Sequence, residues 1–472
     1  MAFFYRFRPA KALLDGHHEL ERQEIYFCPA DALNDPMEGF TDLCWHGDAI
    51  VWRNLLKHYL LCFMRAVCFT RVSGKDTVHP NFTLATQRDL PTPELRAIYN
   101  RICAAFFALP KAAALPVLFA ERPYKVRRDE LCFYLRAIHG IAFQAVISVL
   151  REANLFPPAA PDAPPLDPTI EEQLDNLTRV LTTHSVLKPG EEEEQFRHLF
   201  AASALMMDQL FFVTYSRQSG PSTVWTSLLS TFPERYVAGL RRLVHQEWST
   251  ACFVDDPNHA AMWGVYGNGH TGVCLKFRAA DNAKGVPTLA LRGVNGWGTG
   301  GPLFGEITMP FCQVTYADKF PEVDFFRSIG RLPIPVLKHE WYTGDDGSRS
   351  ACADEMLSGT QEWRKRYWDN FYSISTTKLS DWSHEREYRL MLVSTLIPFD
   401  NPEHRKLTYN FSDLEGIVFG LSTPLDDKLA VARIIEKKCL ETGRKAFEFS
   451  QSVYAFHTGK IETRPLNLLR FA

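Results

Sequence analysis

Glu385-Arg386-Glu387-Tyr388-Arg389-Leu390-Met391-Leu392-Val393 is the stretch on which the reading of the fold turns. Taken as a β-strand, its two-residue period puts Glu385, Glu387 and Arg389 on one face and Tyr388, Leu390 and Leu392 on the other. One side is made to pack and the other carries two carboxylates and a guanidinium. Neighbouring carboxylates repel, so one can hold a proton while the other stays ionised, which suits a site that handles protons or a cationic transition state. The plainer alternative is an exposed edge strand whose charges discourage aggregation.

Further strands are expected on both sides of this one. Val273 to Phe277, Phe311 to Tyr316, Ile417 to Phe419 and Ala446 to Ala455 carry the β signal, with Ala446 to Ala455 ending the sheet, and Asp427 to Cys439 reads as an amphipathic helix. At the N-terminus, Phe3 to Arg8 reads as a strand with Arg6 and Arg8 on one face, followed by a helix from Lys11 to Glu21 and a strand from Glu24 to Cys28. Asn34-Asp35-Pro36 then reverses the chain, because Asn and Asp bond their own backbone and Pro sets the next φ.

The middle of the chain has a different texture. Apolar residues recur at helical spacing in Trp52 to Ala66, Pro93 to Leu109 and Leu131 to Leu150, and a second helical block is expected from Ile170 to Gln246. Residues 155–169 hold six prolines and are expected to form a loop. The acidic run Glu191 to Glu194 reads as a solvated face near a helix start. The economical assembly is an α+β fold: a β-rich mixed-sheet domain from residues 1–47 and 248–472, interrupted by a helical insertion, 48–247.

A chain of 472 residues exceeds the size at which one core stops growing, and 46% hydrophobic residues supply ample core. Lys and Arg number 52 against 55 Asp and Glu, so no overall charge draws the protein to nucleic acid or to an anionic membrane. The eleven cysteines lie scattered in apolar runs with no CxxC, which predicts reduced thiols in a cytoplasmic, soluble protein. The N-terminus does not read as a signal peptide. The longest nearly uncharged apolar run, Ala201 to Thr214, contains Asp208 and is expected to be a buried helix.

Met262 to Phe277 combines a helical start, a glycine-rich turn and a strand, in which Gly267, Gly269 and Gly272 let backbone approach a ligand or another strand. Trp263 and Tyr266 there are either core residues or, with His270, a stacking site for a planar ligand. Cys252, His259, His270 and Cys274 do not have the spacing of paired zinc ligands. Residues 295–302 lack the Lys-Ser/Thr of a phosphate-binding loop and read as a hairpin loop, His17-His18 reads as a solvated helix end, and no Gly-x-Ser-x-Gly elbow supports an α/β-hydrolase.

Five blocks together resemble a bacterial family catalogued as domain of unknown function 2971. They are Tyr5-Arg6-Phe7-Arg8; Ile25-Tyr26-Phe27 leading to Asn34-Asp35-Pro36-x-Glu38; Cys252-Phe253 with Met262-Trp263-x-x-Tyr266-x-x-x-His270-x-Gly272-Val273; Lys378-x-x-x-Trp382-x-x-Glu385-x-Glu387-x-Arg389; and Leu414-x-x-Ile417-x-x-Gly420. The resemblance covers roughly the first 45 residues and those from 248 to about 440, leaving the helical insertion outside it. It carries no activity of its own, only an association with bacterial stress and anti-phage defence or toxin systems.

The order of motifs is also similar, more distantly, to the Arg–Ser–Glu layout of ADP-ribosyltransferases. That similarity implies an NAD-consuming enzyme in which Arg6 or Arg8 holds the phosphates and Tyr266 and Trp263 flank the nicotinamide. Glu387 would be the catalytic carboxylate and Glu385 would position a protein or nucleic-acid acceptor. A fixed carboxylate can stabilise charge developing beside a ribose, and Arg grips phosphate bidentately. The pattern departs from it at the Ser-Thr-Ser strand, since Ser373 to Thr376 reads as a helix end. Arg389 beside Glu387 also fits a structural ion pair, and Asn34, Asp35 and Glu38 have no role in that scheme. Two other readings stand: a nuclease or phosphoesterase binding Mg²⁺ through Asp35, Glu38, Glu385 and Glu387, and a non-enzymatic sensor whose β-rich part binds a ligand or partner.

Overall fold

A computed structural model of the chain describes residues 2–35, 37–74, 84–158, 169–183, 191–217, 223–395, 397 and 399–467. Pro36 and most of the proline-rich 155–169 segment lie outside the described residues. The chain divides into two compact units, one made of residues 1–40, 246–321 and 371–472, the other of 41–245 and 322–370. The sequence division differs chiefly at two places: residues 41–47 and 322–370, expected in the β-rich part, belong with the helices. There Glu322–Asp324 forms a short parallel pair with Asp42–Cys44.

The first unit is built on a mixed sheet, as the α+β reading requires. Its strands are β1 (Phe3–Arg8), β2 (Glu24–Tyr26), β3 (Cys28–Pro29), β4 (Trp248–Val254), β5 (Val273–Arg278), β6 (Ala280–Asp281), β7 (Pro287–Gly298) and β8 (Gly301–Pro310). They continue with β9 (Cys312–Gln313), β10 (Thr315–Ala317), β11 (Thr377–Leu379), β12 (Glu387–Val393), β13 (Lys406–Tyr409), β14 (Leu414–Phe419), β15 (Glu448–Ala455) and β16 (Lys460–Pro465). The main sheet runs β9-β12-β4-β1-β5-β14-β15-β16, with β3 also paired to β4, so the N-terminal strand sits in its middle. A smaller sheet runs β2-β13-β7-β6 with β8 on β7, and β10 pairs with β11.

Alternation explains the packing. Phe4, Phe253, Phe277, Leu275, Leu390 and Leu392 bury one side of the main sheet in a single core with Ile25 and Leu407 of the smaller sheet. Each such side chain contributes about 1.5–3 kcal/mol by leaving water. Helix Leu425–Thr442 buries Val431, Ile435 and Cys439, spaced four apart on one stripe, and stops at Gly443, whose positive φ of 69° favours glycine.

Several expected boundaries move. The helix predicted over 11–21 is a π-helical segment, Ala12–Gly16, and a one-turn α-helix, Glu19–Arg22, separated where His18 takes a left-handed conformation. Glu24 to Cys28 splits between two sheets at Phe27, and Phe311 to Tyr316 splits likewise. Residues 295–302 are the end of the long β7–β8 hairpin, and β16 follows the strand expected to end the sheet.

The second unit is a bundle of long helices. Asp48 caps Ala49–Ser73 by accepting from the Ile50 and Val51 amides, and Gly74 ends it. Ala201 to Thr214, expected to be buried, lies in the helix Glu191–Arg217 with Leu205, Met206, Leu210 and Phe212 exposed. Among the described residues Arg128–Glu152 is a helix long and apolar enough to cross a membrane, and most of that apolar stretch is buried. All eleven cysteines are free thiols.

Candidate functional site

The candidate site begins where two neighbouring strands part. β1 and β4 pair at Tyr5↔Val254, while the other end of β4 pairs with β3 at Thr250 and Ser249. Between these points lies a cavity of about 230 Å³, lined among others by Arg6, Arg8, Cys252, Tyr266, Glu385 and Glu387.

Register assigns the faces. Val254 is opposite both Tyr5 and Glu387, and Cys252 is opposite Arg389, so Tyr5, Phe7, Cys252, Glu387 and Arg389 share one face of the sheet. Arg6 and Arg8 alternate to the other face. Both sets reach one cavity because it opens between the strands.

On the first face is a buried cluster of three carboxylates, Glu38, Glu385 and Glu387, with two cations, Lys378 and Arg389. Lys378 Nζ lies 2.5 Å from Glu385, 3.0 Å from Glu38 and 3.4 Å from Glu387. Arg389 donates from Nε to Glu387 at 2.7 Å, from Nη2 to Glu38 at 2.5 Å, and from Nη1 to the Ser375 carbonyl at 2.7 Å. With all five ionised the cluster carries one excess negative charge, which favours retention of a proton. Burial pushes the Glu38 carboxyl up against the pull of Arg389, and the Glu387 charge adds to the rise. Burial would raise Glu387 too, but Arg389 and Lys378 outweigh it and hold Glu387 below the usual carboxylate range. Glu38 and Glu387 are therefore driven apart in opposite directions.

Glu385 is not on the strand. It ends a turn of 3-10 helix, Ser380–Glu385, and Arg386 follows with a left-handed φ of 49° before β12 starts at Glu387. This kink replaces the simple alternation expected across 385–389. The Arg386 side chain is tied on the surface to Asp255 at 2.7 Å, and Lys378 draws Glu385 back toward Glu387. The Tyr266 hydroxyl donates to Glu385 at 2.6 Å and accepts from Asn34 Nδ2 at 2.8 Å. Burial and then the Glu385 charge raise the Tyr266 pKa, so the phenol stays a donor.

Across the cavity, Arg6 is buried and makes no ion pair among the described residues. Its Nη2 donates to the Tyr26 carbonyl at 3.1 Å, its guanidinium lies 5.6 Å from the centre of the Phe253 ring, and its buried Nη1 has no partner among the described residues. Burial, and then the nearby Arg8 charge, push the guanidinium down to about 10. Arg8 is engaged by Glu19, with Nε to Oε2 at 2.8 Å. A buried guanidinium without a carboxylate partner is costly, and contact with an anion would offset that cost.

Other expectations are revised. Trp263 does not flank the cavity: it is fully buried edge-on to Phe7, and its indole N–H donates to the Pro257 carbonyl at 2.7 Å. His270 does not line the cavity either, and sits in the turn before β5 with a positive φ of 67°. That turn brings backbone to another strand: a Cβ on Gly272 would lie 2.5 Å from the Arg8 carbonyl oxygen. Asp35 shapes its own turn, accepting from the Met37 amide at 2.9 Å. Among the described residues no group of three or more His, Cys, Asp or Glu side chains stands ready for a metal. Where Glu38, Glu385 and Glu387 converge, the Lys378 ammonium already occupies the position a cation would take. Tyr26 and Cys28 also line the cavity, and Glu19 holds Arg8 at its edge. Tyr26 sits inside a quoted motif, but no local pattern marks Glu19 or Cys28.

The chain matches no protein-family model, no curated protein and no solved structure.

Proposed function

We propose that the first unit is a cytoplasmic NAD-consuming, ADP-ribosyltransferase-like enzyme working in the cleft between β1 and β4. The observation that carries this reading is the meeting of Arg6, Arg8, Tyr266, Glu385 and Glu387 on one cavity, with the Arg6 guanidinium buried and short of an anion. Arg6 and Arg8 would take the phosphates, which a planar guanidinium binds well. As the bond from ribose C1′ to nicotinamide breaks, nicotinamide leaves with the bonding electrons. Glu387, kept ionised by Arg389, stabilises the positive charge left on the ribose. An acceptor hydroxyl or water then bonds to C1′ and its proton passes to Glu385, which Tyr266 and Lys378 hold in place. Residues from four of the five motif blocks quoted above are gathered at this cleft and its carboxylate cluster, which supports reading them as one site.

A second reading has its own support. Both Glu387 oxygens are engaged by Arg389 and one also by Lys378, which suits a structural lock beside a purely ligand-sensing cleft. Nicotinamide release from NAD by purified protein separates the two. Release that is lost in Glu387→Gln, while that variant still binds NAD, supports the enzyme. Binding without release, abolished by Arg6→Gln, supports the sensor, and neither binding nor release rejects both.

A further inference from the structure

Arg8 and Tyr26 line the cleft on one side and a second cavity of about 400 Å³ on the other. The second cavity is built on the paired strands β2 and β13, where Lys406 is opposite Tyr26 and Thr408 is opposite Glu24. Alternation turns Ile25 and Leu407 into the core and leaves Glu24, Tyr26 and Lys406 on the outer face, all three lining the cavity. Glu24 makes no ion pair or side-chain hydrogen bond among the described residues, whereas Lys406 is held by Glu403 at 2.6 Å.

The cleft alone, at about 230 Å³, is smaller than the roughly 300–1,000 Å³ usual for small-molecule sites. With its neighbour it reaches the size of a dinucleotide site. The wall between them is formed by Tyr26 and by Arg8, which spends Nε and Nη2 on Glu19, while Arg6, with an open Nη1, lines the cleft side next to it. Two phosphates placed there would leave one nucleoside in each cavity. A free carboxylate such as Glu24 is a good acceptor for a ribose diol, as in other dinucleotide sites.

We infer that the cavity floored by Glu24, Tyr26 and Lys406 is a second subsite that takes the adenosine half of a dinucleotide, with the pyrophosphate at Arg6 and Arg8. This rests on the reading of the cleft as a nucleotide site. The test is calorimetric titration of the full chain with NAD and with nicotinamide mononucleotide, which lacks the adenosine half. NAD is expected to bind the wild type about tenfold or more tightly than the mononucleotide. Glu24→Ala and Lys406→Met, both on an outward face and outside the cleft, should each remove most of that advantage and leave mononucleotide affinity unchanged. Equal binding of the two ligands by the wild type, or variants that weaken both equally, would overturn the second subsite while leaving the nucleotide cleft intact. No binding of either ligand by the wild type would overturn both.

Discussion

Replacing Lys378 by Met removes the ammonium that stands among Glu38, Glu385 and Glu387. Arg389 then faces three buried carboxylates alone, and an ion cluster that loses one member in this way costs about 3–5 kcal/mol. For a body of about 150–250 residues, at about 2–4 °C per kcal/mol, that is a fall in melting temperature of about 6–20 °C. The loss also has a pH signature. Without the ammonium, burial and mutual repulsion raise the folded-state carboxyls above their unfolded value of about 4.3. A raised group contributes its stability below the unfolded pKa and loses it as pH rises through the folded one. The deficit of Lys378→Met relative to wild type should therefore be largest at pH 8 and shrink steadily toward pH 5. Urea unfolding followed by tryptophan fluorescence at pH 8, 6.5 and 5 measures it. A variant within about 1 kcal/mol of wild type at pH 8, or a gap that widens on acidification, would refute the view that Lys378 balances the cluster.

Arg6→Met should be at least as stable as the wild type without ligand, by up to about 2 kcal/mol, because it removes an uncompensated buried charge. Thermal shift with added pyrophosphate should then stabilise the wild type and not the variant, and equal shifts would count against the Arg6 anion site. Tyr266→Phe frees the Glu385 carboxylate and is expected to cost about 1–3 kcal/mol in stability and to lower kcat for nicotinamide release more than it raises KM. An unchanged kcat would remove Tyr266 from the site. In the helical unit, burial lowers His58 and His139 to about 4, so they fold neutral and stability should fall as pH drops from about 6.5 toward 4, by up to about 3 kcal/mol for each. Circular dichroism melts should show this slope reduced in the double variant His58→Gln, His139→Gln, and an identical slope would refute it.

The sequence alone determined what depends on short-range pattern. Alternation in Phe3 to Arg8 and in Glu387 to Val393, and helical spacing across 48–247, are sufficient to predict an α+β sheet interrupted by helices, because period is set by local backbone geometry. It also identified most of the charged side chains at the cleft, since residue type and motif order need no coordinates. Only the tertiary structure decided how they combine. The left-handed Arg386 separates Glu385 from the strand, and no propensity marks that kink in advance. Glu38, more than three hundred residues away, joins Glu387 through Arg389 and Lys378, and it takes the raised pKa that local spacing assigned to the Glu385–Glu387 pair. Trp263, an aromatic in a glycine-rich motif, spends its whole surface on the core. Arg6 and Glu387 come from opposite faces and meet because β1 and β4 part, a property of strand pairing across the sheet and of neither strand by itself.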